Sequence, residues 1–413
     1  MTRKVKDSGV EWIGEIPESW KTKKVKSILR ETSEKNHAAA EVLSLYRDLG
    51  VVIKSTRNDN HNVTSQDTGG YKFVRKNDVV INKMKAWQGS LAVSNYEGIV
   101  SPAYYTFSIT DNDIIPEFLN YALRNPAYTQ EYARLSAGLR VGQWDLSKDA
   151  FKKLLYVFPS KEQQKKIVSV LSQKISQIDS IISETQQSID ELKKYKQALI
   201  TETVTKGLDK NVKMKDSGTQ LLGKIPITWD CLKLKYCVKT NDKKDIFLDG
   251  MKYVGLEHVN SGDGEINGYS TESSNSLEKT FTVGDVLYSK LRPYLAKAFV
   301  ANFSGVCSGE FLVLRGFCGR NDFLKYWLIS STFTDFVNAT AYGTKMPRSN
   351  WDIIKETVMP LPPQNTQEKI VEYLDAVLKE SNDLIAYKED LIDYLKLYKQ
   401  SLIYEYVTGK KEA

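Results

Sequence analysis

The chain says nearly the same thing twice, and this limits its possible folds more than any single residue does. Lys6 to Trp20 reads KDSGVEWIGEIPESW, and Lys215 to Trp229 reads KDSGTQLLGKIPITW, with eight identities in fifteen positions at an offset of 209. A second pair closes each half. Tyr195 to Lys206 reads YKQALITETVTK and Tyr398 to Gly409 reads YKQSLIYEYVTG, with eight identities in twelve at an offset of 203. Between these anchors, Asp78 to Met84 matches Asp285 to Leu291 at 207, and Phe118, Tyr121, Leu123 and Tyr128 match Phe323, Tyr326, Leu328 and Phe333 at 205. The steady drift points to small deletions spread through surface loops, which tolerate them. Residues 30–70 barely align with 239–275. A duplication predicts two similar domains with two similar tasks.

Composition sets the outer bounds. At 413 residues with 41% hydrophobic content the chain can bury more than one core. The net charge of +7 permits a nucleic-acid partner without requiring one. The four cysteines, Cys231, Cys237, Cys307 and Cys318, form no CxxC pair, and there are three histidines, so neither a zinc site nor a disulfide framework is expected. Thiols left unpaired suit a reducing cytoplasm. MTRKVKDSG has no apolar segment of the signal-peptide kind, and no run of 18 apolar residues occurs, so neither secretion nor a membrane is expected.

Each copy divides into a mixed domain and a long helix. DVLYSKL and KAFVANF alternate like half-buried strands. Phe118, Tyr121, Ala122 and Tyr128, and likewise Phe323, Tyr326, Trp327, Ser330 and Phe333, have helical spacing. Pro159-Ser160 opens the first long helix, with Ser160 and Gln163 at capping-box spacing, and Pro362-Pro363 opens the second. The helices carry heptad seams. In copy one the seam includes Leu171, Ile178, Ile182, Ile189 and Leu192. In copy two it includes Leu374, Leu378, Ile385, Ile392 and Leu395. A sustained 3.5-residue period predicts a coiled coil, and two such seams in one chain can satisfy each other. The expected class is therefore α+β: two similar mixed domains and two long helices forming an antiparallel coiled coil, with an internal pseudo-twofold repeat. The expected boundaries are 1–157 and 209–360 for the domains, and 158–208 and 361–413 for the helices.

Two segments mimic catalytic motifs. Gly218 to Lys224 fits seven places of a P-loop, but the eighth is Ile225, which has no hydroxyl for magnesium, and the copy-one counterpart of Lys224 is Glu15. Asn125-Pro126-Ala127-Tyr128 is similar to the NPPY signature of amino-methyltransferases, yet its counterpart begins at Ser330 and lacks both Asn and Pro. A helix–helix turn accounts for it better. No HExxH, GxSxG or zinc-deaminase pattern is present.

The layout resembles a specificity subunit of a type I restriction–modification system over essentially the whole chain. The resemblance rests on DSG…WIGEIPESW, GDVLYSKLRPYL, the helix entry P-x₃–₄-Q-x-x-I-V and the terminal YKQ-LI-E-VT, in the order domain then helix, twice. Copy one departs in places, with Met84-Lys85-Ala86-Trp87 where copy two has Leu291-Arg292-Pro293-Tyr294, which fits halves that read different sequences. The resemblance implies a non-catalytic, cytoplasmic, prokaryotic subunit whose two target-recognition domains read the halves of a bipartite double-stranded DNA site. The helices would space those halves. Two modification subunits would bind S-adenosylmethionine and methylate, and restriction subunits would use ATP and Mg. No cofactor is expected in this chain. The competing classes are an enzyme with unrecognised methyltransferase or nuclease motifs, and a coiled-coil adaptor with no DNA role.

Base edges are read chiefly by Arg or Lys at guanine and Asn or Gln at adenine, while phosphates take Lys, Arg and backbone amides. On that chemistry the candidates in copy one are Lys83, Lys85, Trp87, Arg140 and Gln143. Those in copy two are Lys290, Arg292, Tyr294, Lys345 and Arg348. The unmatched stretch Lys54 to Asn62 is rich in similar side chains and is also what a solvated loop looks like. Lys83 and Lys290 recur in both copies, so a structural or phosphate role competes with base reading.

Overall fold

The computed structural model describes residues 4–57, 64, 67–138, 144–272 and 276–413. The chain divides into two compact units, Met1–Glu184 with Leu391–Ala413, and Thr185–Asp390. Each long helix, Lys161–Lys206 and Gln364–Val407, contributes to both.

Each unit is built on the same antiparallel four-stranded sheet. In the first unit the order is Leu29–Thr32, Tyr104–Ile109, Val79–Asn82 and Leu91–Val93. In the second it is Lys239–Thr240, Phe311–Arg315, Val286–Ser289 and Ala298–Val300. The strands alternate as expected, but both faces are buried. Val79 and Ile81 enter the main core of the first unit while Val80 and Ala92 enter a smaller one. In the second unit Val286 and Tyr288 face the main core, and Leu287 and Phe299 face the other.

The second face is where the copies part. In the first unit it is covered by the hairpin Leu43–Tyr46/Gly50–Ile53 and the pair Lys72–Val74/Gly98–Val100. In the second unit a sheet of Lys244–Ile246, Leu277–Phe281, Gly305–Cys307 and Tyr253–Val254 takes that place, with the last two strands parallel. Larger side chains fill this layer, so Leu287 and Phe299 stand where copy one has Val80 and Ala92.

The predicted aromatic helix is two helices in each copy. Pro116–Leu123 is followed by Pro126–Arg134, and Asn321–Ile329 by Ser331–Ala339. Pro126 bars its predecessor from helical geometry, and Asn125 is extended at φ −67°, ψ 135°. Its side chain caps the new helix by accepting from the amide of Ala127 at 2.9 Å. Ser330 caps the counterpart by accepting from Phe333. The NPAY segment is thus a helix cap, and Tyr128 is fully buried, stacked on Tyr156 with centroids 4.0 Å apart. The P-loop mimic is a turn between the paired strands Met214–Asp216 and Lys224–Pro226, and it opens into a strand rather than a helix. Gly218 and Gly223 hold positive φ there, as Gly9 and Gly14 do in copy one.

The seam residues face inward. Leu171, Ile178, Ile189, Leu374, Leu378, Ile385 and Ile392 are buried, and Ile182, Leu192 and Leu395 are half-buried. In the first unit Asp179 accepts from Lys399 at 2.6 Å. In the second, Lys193 pairs with Glu389 at 3.6 Å and Lys196 donates to Asn382. One helix's numbers fall as the other's rise, which is antiparallel packing.

The helix entries are tied to the domains by a buried glutamine in each copy. Gln164 accepts from the amide of Ile115 at 2.8 Å and donates to the carbonyls of Asp113 and Pro159. Gln367 accepts from the amide of Arg320 at 2.9 Å and donates to the carbonyl of Pro362.

The repeat's openings and closings do not pair as their order suggests. The closing segment of copy two completes the first unit, where Leu402, Tyr406 and Val407 join its core and Lys410 donates to the carbonyl of Glu15. The closing segment of copy one completes the second unit through Ile200 and Val204. Both helices end on a left-handed glycine. A Cβ on Gly207 would meet Trp229 at 3.1 Å, and one on Gly409 would meet Pro17 at 2.6 Å. Among the described residues no helix is long and apolar enough to cross a membrane.

Candidate nucleic-acid interface

In the first unit the strand Val79–Asn82 runs into a turn, and Gly89 at φ +85° closes it. Lys83 does not stand alone there. Its ammonium meets Asp145 at 2.7 Å, and this hydrogen bond raises its pKa by favouring the charged form. Asp145 lies on the short strand Asp145–Leu146, held against the turn by a bond from the Leu146 amide to the Lys83 carbonyl at 2.9 Å. Trp87 donates to the Met84 carbonyl and packs edge-on against Trp144 at 5.1 Å. Arg140 and Gln143 lie outside the described residues.

Lys85 is exposed and lines a cleft of about 960 Å³ between this turn and the 43–53 hairpin. Lys54 and Arg57 line it too, so one concavity gathers cations from two places in the sequence. Residues 58–62 of the Lys54 to Asn62 stretch lie outside the described residues. Tyr46, Tyr71 and Tyr104 supply aromatic faces, and the Arg57 guanidinium lies 5.2 Å from the Tyr46 ring centre. Asn82 also lines the cleft. It is 6% exposed, and its Oδ1 is buried with no hydrogen-bond partner among the described residues. Copy two has Ser289 at this position, where the hydroxyl donates to the Leu291 carbonyl at 2.9 Å.

The corresponding turn in the second unit is charged differently. Ser349 donates to the Lys290 carbonyl at 2.9 Å, as Leu146 does to that of Lys83, so the two turns share one register. No carboxylate hydrogen-bonds Lys290 among the described residues. Burial lowers its pKa, with repulsion from Lys279 adding to that effect. Arg292 is left-handed at φ 51°, donates its amide to the Pro347 carbonyl at 2.7 Å, and has a buried Nε with no partner among the described residues. Tyr294 and Lys345 are exposed, and Arg348 pairs with Glu310 at 2.7 Å. Lys290 and Arg348 therefore come together on one turn, with Glu310 and Lys279 added. Asp145, Glu310 and Asn82 carry no motif or spacing that marks them in the sequence. Asp145 lies 62 residues from Lys83, and only the fold joins them.

Cations beside aromatic faces, built twice on one scaffold with unlike surface groups, are the side-chain types that phosphate and base-edge contacts require. The comparisons with known proteins agree. The family model described as the type I restriction modification DNA specificity domain matches residues 17–193 and 232–393. The chain belongs to that family. It is 26% identical over 379 residues to the type I restriction enzyme EcoDI specificity subunit of Escherichia coli, covering 82% of this chain and 84% of that one. It is 23% identical over 360 residues to the MjaVIII specificity subunit of Methanocaldococcus jannaschii, covering 82% and 80%. In fold it is similar to a chain from a study of complex assembly and conformational transition of the type I R-M system, with a TM-score of 0.72 at 14% identity, covering 96% of this chain and 99% of that one. The HsdS subunit from Thermoanaerobacter tengcongensis gives a TM-score of 0.53 at 14% identity, covering 96% and 98%.

Proposed function

We propose that this chain is the DNA-reading and scaffolding subunit of a type I restriction–modification assembly. Each unit reads one half of a bipartite double-stranded target. Two modification subunits dock on the chain and methylate the DNA with S-adenosylmethionine, and restriction subunits that use ATP and Mg complete the assembly in a prokaryotic cytoplasm. The chain itself contributes no catalytic group and holds no cofactor. Lys85, Trp87, Arg292, Tyr294, Lys345 and Arg348 contact DNA directly, with Lys83 and Lys290 supporting the turns that carry them. The observation that supports this most is that the family match falls on both halves while the covering layer and the turn charges differ between them. Equivalent scaffolds suit identical partners, and unlike surfaces suit an asymmetric site.

The test is reconstitution with modification subunits encoded beside this gene, followed by mapping of methylated bases in DNA exposed to the complex. Methylation confined to one split motif is the expected result. Scattered or absent methylation would overturn the reading. The purified chain alone is expected to transfer no labelled methyl group from S-adenosylmethionine, and turnover without partners would favour the enzyme alternative.

A further inference from the structure

Asp145 and Arg348 hold the same position in the two copies. The residue after each donates its amide to the carbonyl of the matched lysine, Leu146 to Lys83 at 2.9 Å and Ser349 to Lys290 at 2.9 Å. The side chains at this shared position have opposite charge. Each is also steadied by an opposite charge, but from a different element. Lys83, on the turn itself, takes Asp145 Oδ2 at 2.7 Å. Arg348 Nη2 instead donates at 2.7 Å to Glu310, which sits where copy one has Ala103.

The two charges have changed together. A purely structural ion pair would need only an acid beside Lys290, as in copy one. Copy two has placed a cation there and recruited a carboxylate from elsewhere to hold it. Each supporting group leaves part of the side chain open. Asp145 Oδ1 accepts no hydrogen bond, and Arg348 Nη1 and Nε donate none, among the described residues. Both side chains are near half exposed, 47% for Asp145 and 44% for Arg348. Asp145 follows Trp144, whose ring packs against Trp87, a residue proposed to meet DNA.

An ionised aspartate only accepts hydrogen bonds and an arginine only donates them. In the major groove the exocyclic amino groups of cytosine and adenine are the donors, and guanine O6 and N7 are a paired acceptor. We propose that Asp145 and Arg348 are matched specificity determinants of the two half-sites. Asp145 accepts from an exocyclic amino group, and Arg348 donates its fork to a guanine. Lys83 and Glu310 are positioning residues that aim them. This rests on the DNA-reading function proposed above.

The experiment uses the complex with its modification subunits and two DNA pools, each with one half-site randomised, and sequences the methylated fraction. Arg348→Lys keeps the charge and loses the fork. It is expected to reduce guanine preference at one position of one half by about tenfold or more, with the base preferences of the other half unchanged. Asp145→Asn is expected to relax one position in the opposite half, and the base that loses its advantage, cytosine or adenine, identifies the amino group. Glu310→Gln is expected to soften the same position as Arg348→Lys. Unchanged preferences, or a uniform loss across all sequences, would overturn the assignment. If the unaltered complex selects neither half, the functional reading falls and this inference with it.

Discussion

Lys399 holds Asp179 on the facing helix at 2.6 and 2.8 Å, and its repeat counterpart Lys196 donates to Asn382, the counterpart of Asp179. Both partners are displaced by the same 203 residues. Polar groups at seam positions fix which residues face each other, because a slipped register would leave them unpaired. Asp179→Lys is expected to cost about 0.5–1 kcal/mol, since the pair is partly exposed. Adding Lys399→Asp should recover most of that. A double-mutant cycle by urea unfolding measures the coupling, and additive losses would show that the contact contributes nothing.

The seam itself should respond more strongly. Leu374 is fully buried between its helix and the core of the second unit. Leu374→Ala is expected to lower stability by about 2–5 kcal/mol, seen as a lower denaturation midpoint. A loss below about 1 kcal/mol would mean the site collapses around the cavity or was never packed.

Gln164 and Gln367 make a different kind of join. Each closes the first turn of a long helix and satisfies an amide at the start of a domain helix. Gln164→Ala would leave the Ile115 amide buried without a partner, at about 1–3 kcal/mol. Faster hydrogen exchange at Ile115 should accompany the loss. Unaltered protection there would mean that another acceptor had taken over.

Asp285 gives a pH-dependent test. Burial raises its pKa, but the Arg315 guanidinium and the Thr282 amide and hydroxyl outweigh that, so the net shift is downward. A carboxyl with a depressed folded pKa stabilises the fold above its unfolded value, near 3.8. That contribution disappears as pH falls through the folded pKa. Asp285→Asn should therefore destabilise at pH 7, with the gap to the unaltered chain narrowing below about pH 4. Asp78, its counterpart, accepts from the Arg75 amide at 2.9 Å but pairs with no guanidinium among the described residues, and burial raises its pKa. Asp78→Asn should cost less at pH 7 than Asp285→Asn, and a gap that stays constant with pH in both variants would contradict this account.

Much of the scaffold was legible in the sequence. The heptads named the buried helix faces, and DVLYSKL named a sheet strand, because both periods are local. The break at Asn125 was legible because Pro126 acts on its neighbour. What escaped depends on contacts far apart in the chain. Gln164 belongs to the helix-entry motif, yet its role lies in an amide 49 residues earlier. Asp145 looks like any surface acid until Lys83 is placed beside it. The repeat also could not say which closing segment meets which opening, since the two are nearly alike in sequence, and both were paired with the other copy's partner.

That exchange orders events during synthesis. The unit Thr185–Asp390 is one continuous stretch and can complete its core as soon as it leaves the ribosome. The unit that begins first must wait, because Leu402, Tyr406 and Val407 are made only after the whole of the second unit. Until they arrive, the apolar surface of Trp20 and Ile167 and their neighbours lacks its final cover. The nascent protein therefore carries an unfinished first unit while the second is being made, the interval in which aggregation or chaperone capture competes with folding.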